Sequence, residues 1–251
     1  MAADMSWNSK LVFSQQVSFV STFLAGFSFL SILYFVTPAT AKNATSYCQG
    51  EGDERVIDGR GVCSFPSGNR YTGEFRNGIR EGQGVFTYIN GTDCEGEFRE
   101  NALNGRGTCL FPSGNRYEGE FQNGLPQGQG VFTFLDDVRC QGEFKNGQLN
   151  GKGVCVFPSG NRYEGEFRNN NRHGQGILTF TDNTRCQGEF VNGQLNGKGV
   201  CVFPSGNRYE GEFRNNNRHG QGVFIYNNGT RLEGIWQNGN LVRPVPPASK
   251  T

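Results

Sequence analysis

The residues with the most chemistry available are eight cysteines. They fall into four sets whose members stand 15 residues apart: Cys48 and Cys63, Cys94 and Cys109, Cys140 and Cys155, Cys186 and Cys201. Three roles are open to cysteines so spaced: disulfides, thiols packed as small apolar side chains, or zinc ligands. A structural zinc asks for four ligands, and each set offers two. The two histidines, His173 and His219, occupy the same position in two sibling stretches, in what reads as an exposed loop. No catalytic triad and no metal site follows from them. Gly128-Gln129-Gly130 invites comparison with a phosphate loop, but such a loop opens a helix after a strand, and this run lies inside a strand pattern. Asn43-Ala44-Thr45, Asn90-Gly91-Thr92 and Asn228-Gly229-Thr230 match the glycosylation acceptor, and the second and third are also explained as turns. The sequence assigns no catalytic, cofactor-binding or metal-binding residue, and the chain is expected not to be an enzyme.

Composition narrows the class. Gly supplies 38 of 251 residues and aromatics 13%, with 22 Phe. Disordered segments are poor in aromatics, and Gly is a poor helix former, so the mixture points to neither disorder nor a helical fold. Lys and Arg number 24 against 23 Asp and Glu. That balance lacks the positive field expected of a nucleic-acid binder, so no nucleic-acid partner is expected.

The elements that must position these residues are repeats. From Cys48 a 23-residue register holds without insertion, with units starting at Cys48, Tyr71, Cys94, Tyr117, Cys140, Tyr163, Cys186 and Tyr209 and a partial ninth at Leu232. Cys-type and Tyr-type units alternate. The first is degenerate, with Gly52 where its siblings have Phe, as a capping repeat would be. Each unit reads as a β-hairpin. In the unit from Tyr71 to Asp93, alternation puts Tyr71, Gly73 and Phe75 on one face of the first strand, and Gly82, Gly84, Phe86 and Tyr88 on one face of the return strand. Asn77-Gly78 lies in the connection, where positive φ is needed. Pairing about the middle of that loop sets Tyr71 against Phe86, Gly73 against Gly84 and Phe75 against Gly82. A ring lying over a cross-strand glycine would explain why Gly recurs there. On the polar face Glu97 is expected opposite Arg106, Glu143 opposite Lys152, Glu189 opposite Lys198, and Glu120 opposite Gln129, as ordinary cross-strand pairs. Units are joined by Phe-Pro-Ser-Gly turns such as Phe111 to Gly114.

Tyr117-Glu118-Gly119-Glu120-Phe121, Tyr163-Glu164-Gly165-Glu166-Phe167-Arg168-Asn169 and the later Gly-x-Gly resemble the signature of the MORN repeat family. The resemblance runs over residues 48–237. It implies an all-β, elongated single-layer array of antiparallel hairpins. It also implies scaffolding, protein–protein contact, self-association or membrane association. Plant phosphatidylinositol-phosphate kinases carry similar repeats beside a kinase domain, for which no sequence remains here. Two features depart from the pattern: an apolar N-terminal run, and Cys replacing Tyr in every other unit.

Both departures bear on compartment. Residues 11–36 are mostly apolar and uncharged, Lys10 precedes them, and Ala39-Thr40-Ala41 follows Pro38 as a small-x-small cleavage site. Residues 1–41 are therefore expected to be a signal peptide cleaved after Ala41 or, since the run approaches the length of a spanning helix, a membrane anchor, with a buried soluble helix as the remaining alternative. Either of the first two places the repeats outside the cytosol, as an exported protein. There, disulfides form. The two Cys positions of one unit type are Tyr71 and Phe86, Tyr117 and Phe132, Tyr163 and Leu178, Tyr209 and Phe224 in the other, so both positions change together. Opposed residues in a hairpin stand about 4.5–5.5 Å apart, within reach of a disulfide. Cys-bearing hairpins separated by a Tyr-bearing one stand roughly 19 Å apart at the usual strand spacing. The expected bonds therefore lie within the four sets.

A single layer of hairpins has no second layer to cover its aromatics. The stripe Tyr71, Phe75, Phe86, Phe98, Phe111, Tyr117, Phe121, Phe132, Phe144, Phe157, Tyr163, Phe167, Phe190, Phe203, Tyr209, Phe213 and Phe224 is then a candidate contact surface, for a protein partner or a second copy. A sheet twisted enough to cover its own aromatics is the alternative. The expected function is a non-catalytic exported scaffold for protein–protein contact or self-association, with membrane association as the second reading. Residues 238–251 are expected as a disordered tail.

Overall fold

The structure is a computed structural model that describes residues 47–50 and 58–245. The N-terminal segment 1–41, the acceptor at Asn43 and the variant Gly52 lie outside the described residues. Among those described there are strands and turns but no helix. The chain divides into two compact units, at Gln148 and Leu149.

The first unit holds β1 (Tyr47–Gly50), β2 (Gly59–Ser64), β3 (Arg70–Arg76), β4 (Ile79–Thr87), β5 (Asp93–Arg99), β6 (Ala102–Leu110), β7 (Arg116–Gln122), β8 (Leu125–Thr133) and β9 (Arg139–Lys145). The second holds β10 (Gln148–Val156, from Leu149), β11 (Arg162–Arg168), β12 (Asn171–Thr179), β13 (Arg185–Val191), β14 (Gln194–Val202), β15 (Arg208–Arg214), β16 (Asn217–Ile225), β17 (Arg231–Gln237) and β18 (Asn240–Pro244). Within each unit every strand pairs antiparallel with the next in sequence. The partial ninth repeat thus completes a hairpin, because Asn240–Pro244 pairs with β17 where a tail was expected.

The hairpin turns are two residues long. Arg76 faces Ile79, and Asn77 and Gly78 between them have φ of 51° and 73°. Both central residues at positive φ define the turn whose twist matches a hairpin. Where Gly is absent, Asn takes its place, as at Asn169 and Asn170 with φ of 49° and 65°. Asn tolerates this region better than other side chains do.

Tyr71 faces Phe86 and Gly73 faces Gly84, as the alternation implies, but the register then shifts, and Phe75 faces Arg80. Glu74 alone spans what Glu81, Gly82 and Gln83 span on the return strand. This bulge absorbs the asymmetry of the Asn-Gly turn, and Gly82 sits in it at φ 74°. Two sequence-based expectations are corrected here. Gly82 faces Phe98 of the next hairpin, not Phe75. The acidic residues likewise find their partners between hairpins: Glu97 faces Gln83, Arg106 faces Glu120, Glu143 faces Gln129, Lys152 faces Glu166, Glu189 faces Gln175 and Lys198 faces Glu212. A bulge displaces every pair beyond it, so pairing counted from the loop centre fails past Gly73.

The core lies on the aromatic face. Tyr71, Tyr117, Tyr163 and Tyr209 are each 0% exposed. The Tyr71 ring folds back across Gly73 and Gly84, and its hydroxyl donates to the Glu74 carbonyl at 3.1 Å. It meets Phe75 and Phe98 edge-on at 5.2 and 4.9 Å. Tyr117, Tyr163 and Tyr209 repeat this arrangement, the last against Phe213 and Trp236. The Phe-Pro-Ser-Gly turns fold over the same face, where Phe65 packs on Phe86 at 5.8 Å. Burying an aromatic of this size contributes roughly 1.5–3 kcal/mol.

Candidate functional site

The spacing of the cysteines is the strongest chemical signal in the sequence. Cys48 and Cys63, Cys94 and Cys109, and Cys186 and Cys201 are joined as disulfides, with Cα atoms 4.0, 4.1 and 4.1 Å apart. No described cysteine is free. They lie on the aromatic face beside the tyrosines of the next hairpins, as Cys63 beside Tyr71 and Cys109 beside Tyr117, and Cys63, Cys94, Cys109, Cys186 and Cys201 are buried. In the Cys-type hairpins a leucine fills the room that the Tyr ring occupies elsewhere. Leu103 lies against Gly96 and Gly107, and Leu195 against Gly188.

At the position of those leucines the Tyr-type hairpins carry Arg80, Pro126, Arg172 and Arg218, which sequence reasoning did not single out. Arg80 lies over Phe65, Tyr71 and Phe86 at 5.4, 5.6 and 4.8 Å. Arg172 is buried over Tyr163 and Phe190 and donates through Nη2 to the Gly193 carbonyl, while its Nη1 has no hydrogen-bond partner. Burial pulls its guanidinium down to about 10. Arg218 covers Trp236 at 4.7 Å and donates to the Gly239 carbonyl at 2.7 Å. Burial, the leading cause, also raises the tyrosines, Tyr71 to about 12 and Tyr117, Tyr163 and Tyr209 further. The available signal for the arginines was their alternation with Leu103, Leu149 and Leu195 at one repeat position.

The aromatic stripe is therefore covered from within the chain. Phe75, Phe98, Phe121, Phe132, Phe144, Phe157, Phe167, Phe190, Phe203, Phe213 and Phe224 are buried with the four tyrosines, and Phe86 and Phe111 are half-buried. The physical reason is local. Each Tyr lies flat on a glycine pair, the inter-hairpin turns bring a Phe or Tyr ring back over the sheet, and an arginine, leucine or proline takes the remaining repeat position.

The histidines also differ from expectation. His173 lies on β12 facing Glu166, and His219 lies on β16 facing Glu212; both are half-buried. They fall in strands because the turns before them are only two residues long. Among the described residues no group of His, Cys, Asp and Glu is placed to hold a metal ion. No described helix is long and apolar enough to cross a membrane.

What remains open is the opposite face. In the first unit a groove of about 980 Å³ is lined by backbone at Gly73, Gly84, Gly96, Gly107, Gly119 and Gly130, with Val62, Val85, Val131, Thr72 and Thr108 beside them and Arg60, Glu95, Arg106 and Glu118 among its charged groups. In the second a groove of about 880 Å³ is lined by Gly188, Gly199, Gly211, Gly222 and Gly234, with Val200, Val223, Glu210, Glu212 and Val245. Ion pairs stand at the edge of this face: Arg116 with Glu118 at 2.5 Å, Arg162 with Glu164 at 2.6 Å, Arg208 with Glu210 at 2.8 Å. Amide side chains tie neighbouring hairpins together: Asn69 accepts from the Ile89 N–H at 2.9 Å, and Asn104 from the Asn123 N–H at 2.9 Å. A trough with alternating acid, base and apolar positions suits an extended chain.

A family model described as the MORN repeat matches residues 56–70, 71–93, 94–116, 117–137, 140–162, 163–185, 186–208 and 209–231. No curated protein matches the chain. Among solved structures, the TCP10 domain of Danio rerio CPAP, in complex with a peptide of Danio rerio STIL, is similar at TM-score 0.51 and 16% identity, over 76% of this chain and 84% of that one. The TCP domain of Drosophila melanogaster SAS-4, in complex with a proline-rich motif of Ana2, aligns at TM-score 0.41 and 13% identity, over 62% of this chain and 85% of that one. At these identities the likeness concerns the fold alone.

Proposed function

The chain belongs to the MORN repeat family, and from that premise we propose that it is a non-catalytic, extracytoplasmic repeat scaffold that takes a protein partner along its grooved face. The observation that carries this reading is the asymmetry of the two faces. The aromatic face is closed by its own side chains, and the opposite face presents a trough about 980 Å³ in volume with a glycine-backbone lining. A protein of similar fold is known in complex with a peptide. Buried disulfides in successive Cys-type hairpins support an oxidising compartment.

The test places a photoreactive side chain at Val131, in the first groove, and at Ile79, an exposed strand end. The protein is then irradiated in exported material from the native host. One defined protein adduct at Val131 and none at Ile79 is expected. No adduct at Val131, or the same products from both positions, overturns the reading.

A lipid surface is the second reading, favoured by Ile89 and Leu135, which are 65% and 72% exposed at turn tips of the first unit. Flotation with anionic vesicles at low and high salt decides it. Binding lost on replacing both residues with Asn supports it, and no flotation at either salt removes it.

A further inference from the structure

Each hairpin is pinned to the one after it by a side chain at a fixed place in the repeat. Asp58, Glu81, Asn104 and Gln127 in the first unit, and Asn150 and Asn196 in the second, each accept from the backbone N–H 19 residues on, at 2.9–3.4 Å. The donor is the first residue of the next hairpin turn, held at positive φ, as Asn169 at 49° and Asn215 at 50°. Two hairpins of the second unit break the series. Their acceptor position holds His173 and His219, and the residues 19 further on are Asn192 and Asn238, with φ of 49° and 48°. The turn geometry is thus unchanged, and the acceptor alone differs. An imidazole Nδ1 stands one bond beyond Cγ, as the Oδ1 of asparagine does, and in a neutral ring it can accept. His219 Nδ1 is buried and has no hydrogen-bond partner.

We propose that His173 and His219 are acid-sensitive clasps: the neutral imidazole accepts through Nδ1 from the Asn192 or Asn238 N–H, and the protonated ring releases that turn. Protonation converts Nδ1 from an acceptor into a donor, so one N–H then confronts another. Histidine is the side chain whose charge changes between about pH 5 and 8. On the β11 side His173 faces Glu166, itself opposite Lys152, with Arg168 opposite Asn171. On the β13 side Gly174 faces Phe190 and Gln175 faces Glu189. His219 faces Glu212, itself opposite Lys198, with Arg214 opposite Asn217. On the β17 side Gly220 faces Trp236 and Gln221 faces Ile235. Arg172 and Arg218, the neighbours along the strand, lie over the rings of the aromatic face. At both places the directly opposed side chain is a carboxylate, and an imidazolium freed from the turn pairs with it. The stability that the clasps supply is present above the histidine range and is lost as pH falls through it. Glu212 also lines the second groove, so acid changes the charge of that groove; this consequence rests on the grooved face being the binding face, and the clasp itself does not.

The experiment measures amide hydrogen exchange of the full chain by NMR at about pH 8 and about pH 5, the two ends of the histidine range. Each rate is taken relative to that of an unstructured peptide at the same pH. Protection at Asn192 and Asn238 should fall by about tenfold in acid, the weight of one hydrogen bond. Asn169 and Asn215, whose acceptors are Asn150 and Asn196, should keep theirs. His173→Asn and His219→Asn install the acceptor that those siblings carry, and should abolish the pH dependence at Asn192 and Asn238 respectively. Protection at Asn192 and Asn238 that is equal at both pH values, or that falls in step with Asn169 and Asn215, overturns the proposal. So does a fall that survives the asparagine variants. Should a variant fail to fold, the wild-type comparison of the four amides decides alone. Cross-linking from Val131 tests partner binding in the first groove, so either idea can fail without the other.

Discussion

A methyl group placed on Gly84 would come within 2.3 Å of the Tyr71 hydroxyl oxygen. Gly130 stands to Tyr117, Gly176 to Tyr163 and Gly222 to Tyr209 in the same way. In the Tyr-type hairpins the second glycine of the Gly-x-Gly is thus the bed of a tyrosine, and the first serves the backbone of the bulge. One short motif carries two unrelated requirements.

That division predicts different costs for glycine substitutions. Gly130→Ala forces the Tyr117 ring off the sheet and should destabilise the protein by roughly 1–3 kcal/mol, as overpacking does. Gly78→Ala meets no atom within 4 Å but sits at φ 73°, and should cost about 1 kcal/mol from backbone strain alone. Urea denaturation of both variants checks the order. A larger loss for Gly78→Ala would contradict it.

Reduction should weaken the fold hairpin by hairpin. Cys94 and Cys109 close a loop of 15 residues, worth roughly 3 kcal/mol in the chain-entropy model. Cys109→Ser should lower stability by about that amount and leave one titratable thiol, Cys94. Non-reducing peptide mapping of the wild type should recover Cys48 linked to Cys63, Cys94 to Cys109 and Cys186 to Cys201. A link from Cys94 to any other cysteine would refute the register.

Arg172 can be tested against its own siblings. Arg172→Leu places there the residue that Leu149 and Leu195 supply in Cys-type hairpins, and keeps the Tyr163 ring covered. Both variants lose the bond to the Gly193 carbonyl, and Arg172→Ala uncovers the ring as well. Hydrogen bonds from charged donors are worth about 1.5–3 kcal/mol, so Arg172→Ala should lose roughly 2–4 kcal/mol and Arg172→Leu less. Thermal denaturation separates them; equal losses would show that ring cover contributes nothing.

Alkaline pH should unfold the protein through its tyrosines. Burial raises Tyr71 from the ordinary 10 to about 12, so the folded state prefers the neutral phenol. Its contribution is fully present below pH 10, where phenols are protonated in both states, and is lost as pH rises through about 12. Tyr117, Tyr163 and Tyr209 act in the same direction. Phenolate absorbance should therefore lag behind that of free tyrosine and rise together with unfolding. Tyr71→Phe should lessen the loss of stability over this range. Phenolate formation near pH 10 with the fold intact would contradict the burial of the rings.

Much of the fold was legible because it repeats. The constant register from Cys48 located the hairpins, alternation set Tyr71 against Phe86, and joint replacement of Tyr71-type and Phe86-type positions by Cys indicated contact. These signals are local: a strand's side-chain period and a turn's need for positive φ act over a few residues. The bulge was not legible in the same way. Glu97 could be paired with Arg106 on paper, and only the hydrogen-bonded ladder shows that two further residues enter the return strand and send Glu97 to Gln83.

The sequence by itself determined the all-β class, the hairpin period, the disulfide spacing and the faces on which aromatic and charged residues lie. Tertiary structure decided which face is available. Whether Tyr71 stands away from the sheet or lies upon it turns on the empty space above Gly73 and Gly84, on the return of Phe65 over Phe86, and on Arg80 closing the gap between them. These contacts join residues of different strands and turns, and no period in a linear sequence encodes them. They close the aromatic face and leave the glycine-backed groove on the other face open.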